Sequence, residues 1–270
     1  MSDDKSEGGT AKDGALKIGL ELVKQTYEDG PRAVVQELGK LAVRPLKLLN
    51  ACFANIDLAI QDHEGRQRLL EQRMREKWNA IPSEHLVAPP ANIAGPLLLN
   101  YVFVQEAGAE PLRDLYEQLL ATSMDSAEQS LVHPSFVDML RQMTPAEAKV
   151  MRFLGENGTQ AIVLIEEREH GHFGTIERGH HHGLPSDVIE NSPESFALIE
   201  NLDRLGLLEI RMGISVVDST DPYGPIAIAA LERYEHRDGF QLFSTNGIIR
   251  LTTLGKRFVH CCVTRRSPSR

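Results

Sequence analysis

The sequence predicts a mainly α protein, with an N-terminal helical domain followed by a smaller α+β domain. Three observations carry that prediction. Apolar residues recur at helical spacing from Leu16 to Leu154. Thr144-Pro145-Ala146-Glu147 has the form of a capping box with proline at the first helical position. From Ala161 the apolar runs become short and partly β-branched, as in strands.

The elements follow in order. Met1 to Gly14 is polar and glycine-containing and reads as a disordered tail without the apolar stretch of a signal peptide. Leu16, Leu20, Val23 and Tyr27 mark a first helix, which Gly30-Pro31 ends. Val34, Val35, Leu38 and Leu41 continue the pattern to Pro45, and Leu48, Leu49, Phe53, Ile56 and Ile60 form the next stripe. Glu64 to Trp78 is a strongly charged helix with Leu70, Met74 and Trp78 on one side. Leu86 to Gln105 holds no charge and is long enough to span a bilayer. Its prolines and asparagines predict a buried core segment instead, with a helix around Ile93 to Gln105. Pro111 opens an amphipathic helix with Leu112, Leu115, Tyr116, Leu119 and Leu120 inward, and Pro134 opens a short one.

After the capped helix at Thr144, Ala161 to Ile165 reads as a short strand and the Gly- and His-rich stretch after it as a long polar loop. Ser192-Pro193 starts a helix that ends at Gly206. Leu207 to Val217 reads as a strand and Asp221 to Pro225 as a turn. Asn246-Gly247, between two apolar runs, reads as the turn of a hairpin. Thr252 caps a last helix through Cys262. Helix, strand, helix and hairpin make the C-terminal module winged-helix-like. The expected organisation is a tail over 1–13, a helical domain over 14–143, the winged-helix-like α+β domain over 144–264 and a basic tail over 265–270.

The 270 residues are 41% hydrophobic, so a core is affordable, and the net charge of -9 disfavours a nucleic-acid backbone as partner. In a winged helix the second motif helix enters the DNA. Here that helix, Pro193 to Leu205, sets Glu194, Glu200 and Asp203 against Arg204 alone. Cys52, Cys261 and Cys262 form no C-x-x-C pair and read as reduced, partly buried thiols, with a redox role for the adjacent Cys261 and Cys262 as the alternative. The common phosphate-loop, nucleophile-elbow, zinc-protease and dinucleotide patterns are absent, so no catalytic residue and no cofactor is expected.

Two clusters remain as candidates. His170, His172, His180, His181 and His182 lie close in sequence, beside Glu166, Glu167, Glu169 and Glu177. Imidazoles at that density suit zinc or nickel, although the surrounding glycines argue for a solvated loop. Arg66, Arg73, Arg75 and Lys77, with Lys256 and Arg257, are the candidate interaction surface. A solvated face with pairs such as Glu71-Arg75 is the plainer reading of the first group.

Ordered blocks of residues carry a family resemblance. Tyr27-Glu28-Asp29, Pro31, Glu37-Leu38-Gly39-Lys40 and Pro45-Leu46 come first, then Ile81-Pro82, Pro89 and Ala94-Gly95-Pro96. The longest runs from Leu112 to Asp125, followed by His133-Pro134-Ser135-Phe136 and Met143 to Ala148. Asn201 to Leu207 and Leu251 to Gly255 are similar but more generic. Together they resemble the bacterial abortive infection alpha (Abi-alpha) family. The resemblance implies a cytoplasmic phage-defence protein and supplies no catalytic residues. The resulting expectation is a non-enzymatic component acting through a protein partner, with homo-oligomerisation open and no membrane insertion. The alternative is a winged-helix transcriptional regulator.

Overall fold

The computed structural model describes residues 72–264, except 76, 102, 105, 106, 172, 217–220 and 236. The expected tail over 1–13, the stripes from Leu16 to Leu70, the tail over 265–270, and Cys52, Arg66 and His172 lie outside the described residues. The described chain falls into two compact units, one of residues 72–105 and 117–137, the other of 106–116 and 138–264.

In the first unit residues 72–75 and 77–79 are helical, and α1 (Ala91–Tyr101) and the latter part of α2 (Glu110–Ser123) follow. Ile93, Ala94, Leu97, Leu98 and Tyr101 form one buried stripe on α1, as helical spacing requires. Its 11 residues, with Pro96 among them, amount to about 16 Å of helix against a hydrocarbon layer of about 30 Å. Among the described residues no helix is long and apolar enough to cross a membrane.

The second unit holds α4 (Pro145–Asn157), β1 (Gln160–Glu169), β2 (Thr175–His182), α5 (Pro193–Arg204), β3 (Leu208–Met212), α6 (Tyr223–Leu231), β4 (Phe240–Leu251) and α7 (Thr253–Cys262). The short α3 (Ser135–Arg141) leads into it. The four strands form one antiparallel sheet in the order β2-β1-β4-β3. This overturns the mainly α expectation: the chain is α+β. Two misread segments account for it. The stretch after Ile165 is not a loop, because β1 runs on to Glu169 and β2 carries the histidines back beside it. Asn246-Gly247 is not a hairpin turn but the middle of a 12-residue central strand, so no hairpin forms at that point. At Gly247 a Cβ would meet the Arg211 carbonyl oxygen at 2.8 Å and the Met212 side chain. The glycine serves close approach of β3, not a turn.

Local signals worked better for helices. Thr144 and Glu147 form the expected reciprocal capping box of α4, with Pro145 at its start. Ser192 caps α5 likewise. Gly206, at φ +73°, donates to Asp203 O while Leu207 N donates to Leu202 O, a Schellman closure. The turn expected at Asp221 to Pro225 instead starts α6. Asp221 accepts from Tyr223 N and Gly224 N, and Pro225 sits in the first turn, where its missing N–H costs nothing.

Successive residues of a strand face opposite sides. Ala161, Val163 and Ile165 of β1 therefore pack with Tyr223, Ile226 and Ala230 under α6. Ile162, Leu164 and Ile249 are buried on the other face, where His180 stacks on Phe196 of α5. α7 is drawn tightly to the start of β3, since a Cβ at Gly255 would overlap the Leu207 carbonyl.

Candidate functional site

The same alternation dissolves the histidine cluster. His181 pairs with Val163 and faces α6, whereas His180 and His182 pair with Leu164 and Ile162 and face the opposite side. His170 is exposed at the far end of the hairpin, and His172 is not among the described residues. Among the described residues no group of three or more His, Cys, Asp or Glu side chains is placed to hold a metal. Two of the neighbouring carboxylates, Glu166 and Glu167, are engaged elsewhere. Glu166 accepts from the hydroxyls of Thr175 at 2.9 Å and Thr245 at 2.6 Å, and the Thr245 bond foremost holds its carboxyl below the usual range.

His182 is buried, and burial drives its pKa down to about 4, so the ring is neutral. The Glu190 backbone lies close enough to offset part of that shift but does not meet its ring nitrogens in hydrogen-bond geometry. His181, also buried, is shifted down by burial first and then by Arg233. Its Nε2 lies 2.8 Å from the Tyr234 hydroxyl, which is also within hydrogen-bond distance of the Arg178 carbonyl, at 3.2 Å. The Tyr234 hydroxyl thus bridges the His181 ring and the Arg178 carbonyl.

Beside this pair lies the polar centre of the sheet. β1 continues its inward alternation past Ile165 to Glu167, which is 1% exposed. One oxygen, Oε2, accepts from Arg178 at 3.4 Å and from Arg237 at 3.1 Å. The Arg178 guanidinium lies 5.5 Å from the Tyr234 ring centroid, and that of Arg237 lies 4.4 Å from that of Phe240. Three elements thus converge: β1, the bulged β2, where the register slips between Ile165 and Glu166, and the segment after α6. The sequence reading counted Glu167 only as a neighbour of the histidines. The signal that marks it is the run Ala161, Val163, Ile165, Glu167, in which a carboxylate takes the next buried position.

The expected interaction surface divides. Arg73 and Lys77 turn toward the buried Glu117, at 3.4 and 4.0 Å, and Glu117 also accepts from the Tyr101 hydroxyl at 2.8 Å. They therefore compensate a buried charge. Arg75, Lys256 and Arg257 are exposed. On α5, Glu194, Glu200 and Asp203 are exposed, while Arg204 is held by Asn201 and Gln142. His133 caps α3: its Nδ1 accepts from Ser135 N at 3.1 Å and lies 2.7 Å from the Ser135 hydroxyl. Cys261 and Cys262 are buried, and burial raises the Cys262 thiol, which leaves it unreactive.

No curated protein matches the chain. An uncharacterized protein from the hydrocarbon-degrading marine bacterium Alcanivorax borkumensis SK2 is similar in structure, at 15% identity and a TM-score of 0.29. The match covers 52% of this chain and 96% of that one. Agreement of that order transfers neither fold nor role. The family comparison reaches further: the model for abortive infection alpha matches residues 62–262, most of the chain and the whole of the sheet unit's helices and strands. The chain belongs to the abortive infection alpha family.

Proposed function

We propose that this chain is a cytoplasmic component of bacterial phage defence that acts by binding a protein partner, without catalysing a reaction. Membership of the abortive infection alpha family carries the reading. The net charge of -9 and the exposed carboxylates of α5 support a protein rather than a nucleic-acid partner. The fate of the histidine run also supports a role without metal chemistry, because the strand that carries it sends its imidazoles to opposite faces.

Expression in a phage-sensitive host tests the proposal. Plating efficiency over a phage panel and culture survival at low and high phage load are the readouts. Reduced plating, with culture collapse at high load only, is the expected result. Unchanged plating across the panel, with or without the neighbouring genes, would sink the defence reading. Affinity capture during infection then tests the partner. A protein retained by the wild-type chain and lost on reversing the charges of Glu194, Glu200 and Asp203 is expected, and indifference to that reversal would exclude α5 as the contact.

A further inference from the structure

We infer that Arg178 and Arg237 form a binding site for a phosphoryl group. The inference starts from a charge surplus. Glu167 carries one negative charge and is 1% exposed, so a single guanidinium suffices to compensate it. Two are present, and both reach the same oxygen, at 3.4 and 3.1 Å. Their side chains are 30% and 51% exposed, so each keeps donors on a solvent side. Convergence on one oxygen brings the two forks close enough to span two oxygens of one tetrahedral oxyanion.

The pair is also braced. Each guanidinium lies over an aromatic ring, Tyr234 or Phe240, and Tyr234 is itself fixed by His181 and the Arg178 carbonyl. Stacked guanidinium planes keep their free N–H edges in place before a ligand arrives, and planar forks match phosphate better than an ammonium does. Arg211 and Arg250 offer a contrast. They also meet on one carboxylate, but they take separate oxygens of Glu209, which is 28% exposed and shares its charge with water. The exposed Glu177 and Asp238 stand next to Arg178 and Arg237 in sequence and set a limit on how strongly the pair attracts anions.

Calorimetric titration of the full chain with inorganic pyrophosphate at constant ionic strength tests the site, independently of any protein partner. Saturable one-to-one binding is expected, weakened about tenfold or more in Arg237→Gln and measurably in Arg237→Lys, which keeps the charge and loses the fork. Arg237→Gln leaves Arg178 to compensate Glu167, and an unchanged circular dichroism spectrum confirms its fold. ADP at matched concentration separates the sources: affinity equal to pyrophosphate points to the phosphoryl group alone, and tighter binding points to a nucleotide. Absence of saturable pyrophosphate binding, or wild-type affinity in Arg237→Gln, overturns the site and leaves an adventitious ion only.

Discussion

The sheet unit buries two glutamates to the same degree and satisfies them by opposite means. Glu147 and Glu167 are each 1% exposed. Glu147 accepts from neutral donors, the Thr144 amide and the Asn201 side chain, both at 2.5 Å. Glu167 accepts from two guanidinium groups. The first lies at a helix start, where amides and the helix dipole already favour a carboxylate. The second lies on a sheet face, where no such field exists and cations must be brought in. Placement within an element therefore decides whether a buried carboxylate needs counter-charges.

The largest expected effect tests that rule directly. Replacing both Arg178 and Arg237 by Met strands Glu167 and should cost about 3–5 kcal/mol in urea unfolding, with most of it regained on adding Glu167→Met. A cost under about 1 kcal/mol would put Glu167 in the same class as Glu147. Next comes acid sensitivity, where His182 shows a third way to bury a polar group, by giving up its charge. Its folded pKa of about 4 lies below the usual 6.5, so the unfolded chain takes the proton first. Stability from this group is full above pH 6.5 and is lost as pH falls toward 4, by roughly 3 kcal/mol in all. His182→Leu should flatten the pH dependence of the urea midpoint between pH 7 and 5, and an unchanged slope would assign the acid lability elsewhere.

Two smaller effects sharpen the contrast. Thr144→Ala removes the hydroxyl half of the capping box and should cost about 1 kcal/mol of unfolding free energy. Arg237→Gln alone should cost less than about 1 kcal/mol, because its side chain is half exposed and Arg178 still faces Glu167. The single and double arginine variants should thus be far from additive. Additive losses in the same urea titrations would mean that the two arginines act separately.

The two glutamates also differ in how much of them could be read in advance. Glu147 was legible because its partner Thr144 lies three residues away in a pattern with a known geometry. The partners of Glu167 lie 11 and 70 residues away, and Tyr234 and His181 are 53 apart, so no local pattern announces them. The same divide runs through the fold. The starts of α4, α5 and α7, and the glycine that closes α5, followed from local caps. β2 and the full length of β4 did not, because they depend on what the strand pairs with. Gly247 shows this most plainly: beside Asn246 it mimics a turn, and only its close neighbour β3 explains it. The family resemblance works in a different way, reaching a role through ordered blocks, of which those within the described residues are mostly caps and core.

The alternation of His180, His181 and His182 across β2 has a practical side. A nickel resin grips a run of histidines when several imidazoles can turn to the same ion. In the folded chain His181 and His182 are buried on opposite faces of the sheet, so this run offers the resin little. Unfolding the strand frees all three at once. Retention of the untagged protein on nickel is then a reporter of opening at the sheet edge, and a denaturant gradient run on such a column would read that opening directly.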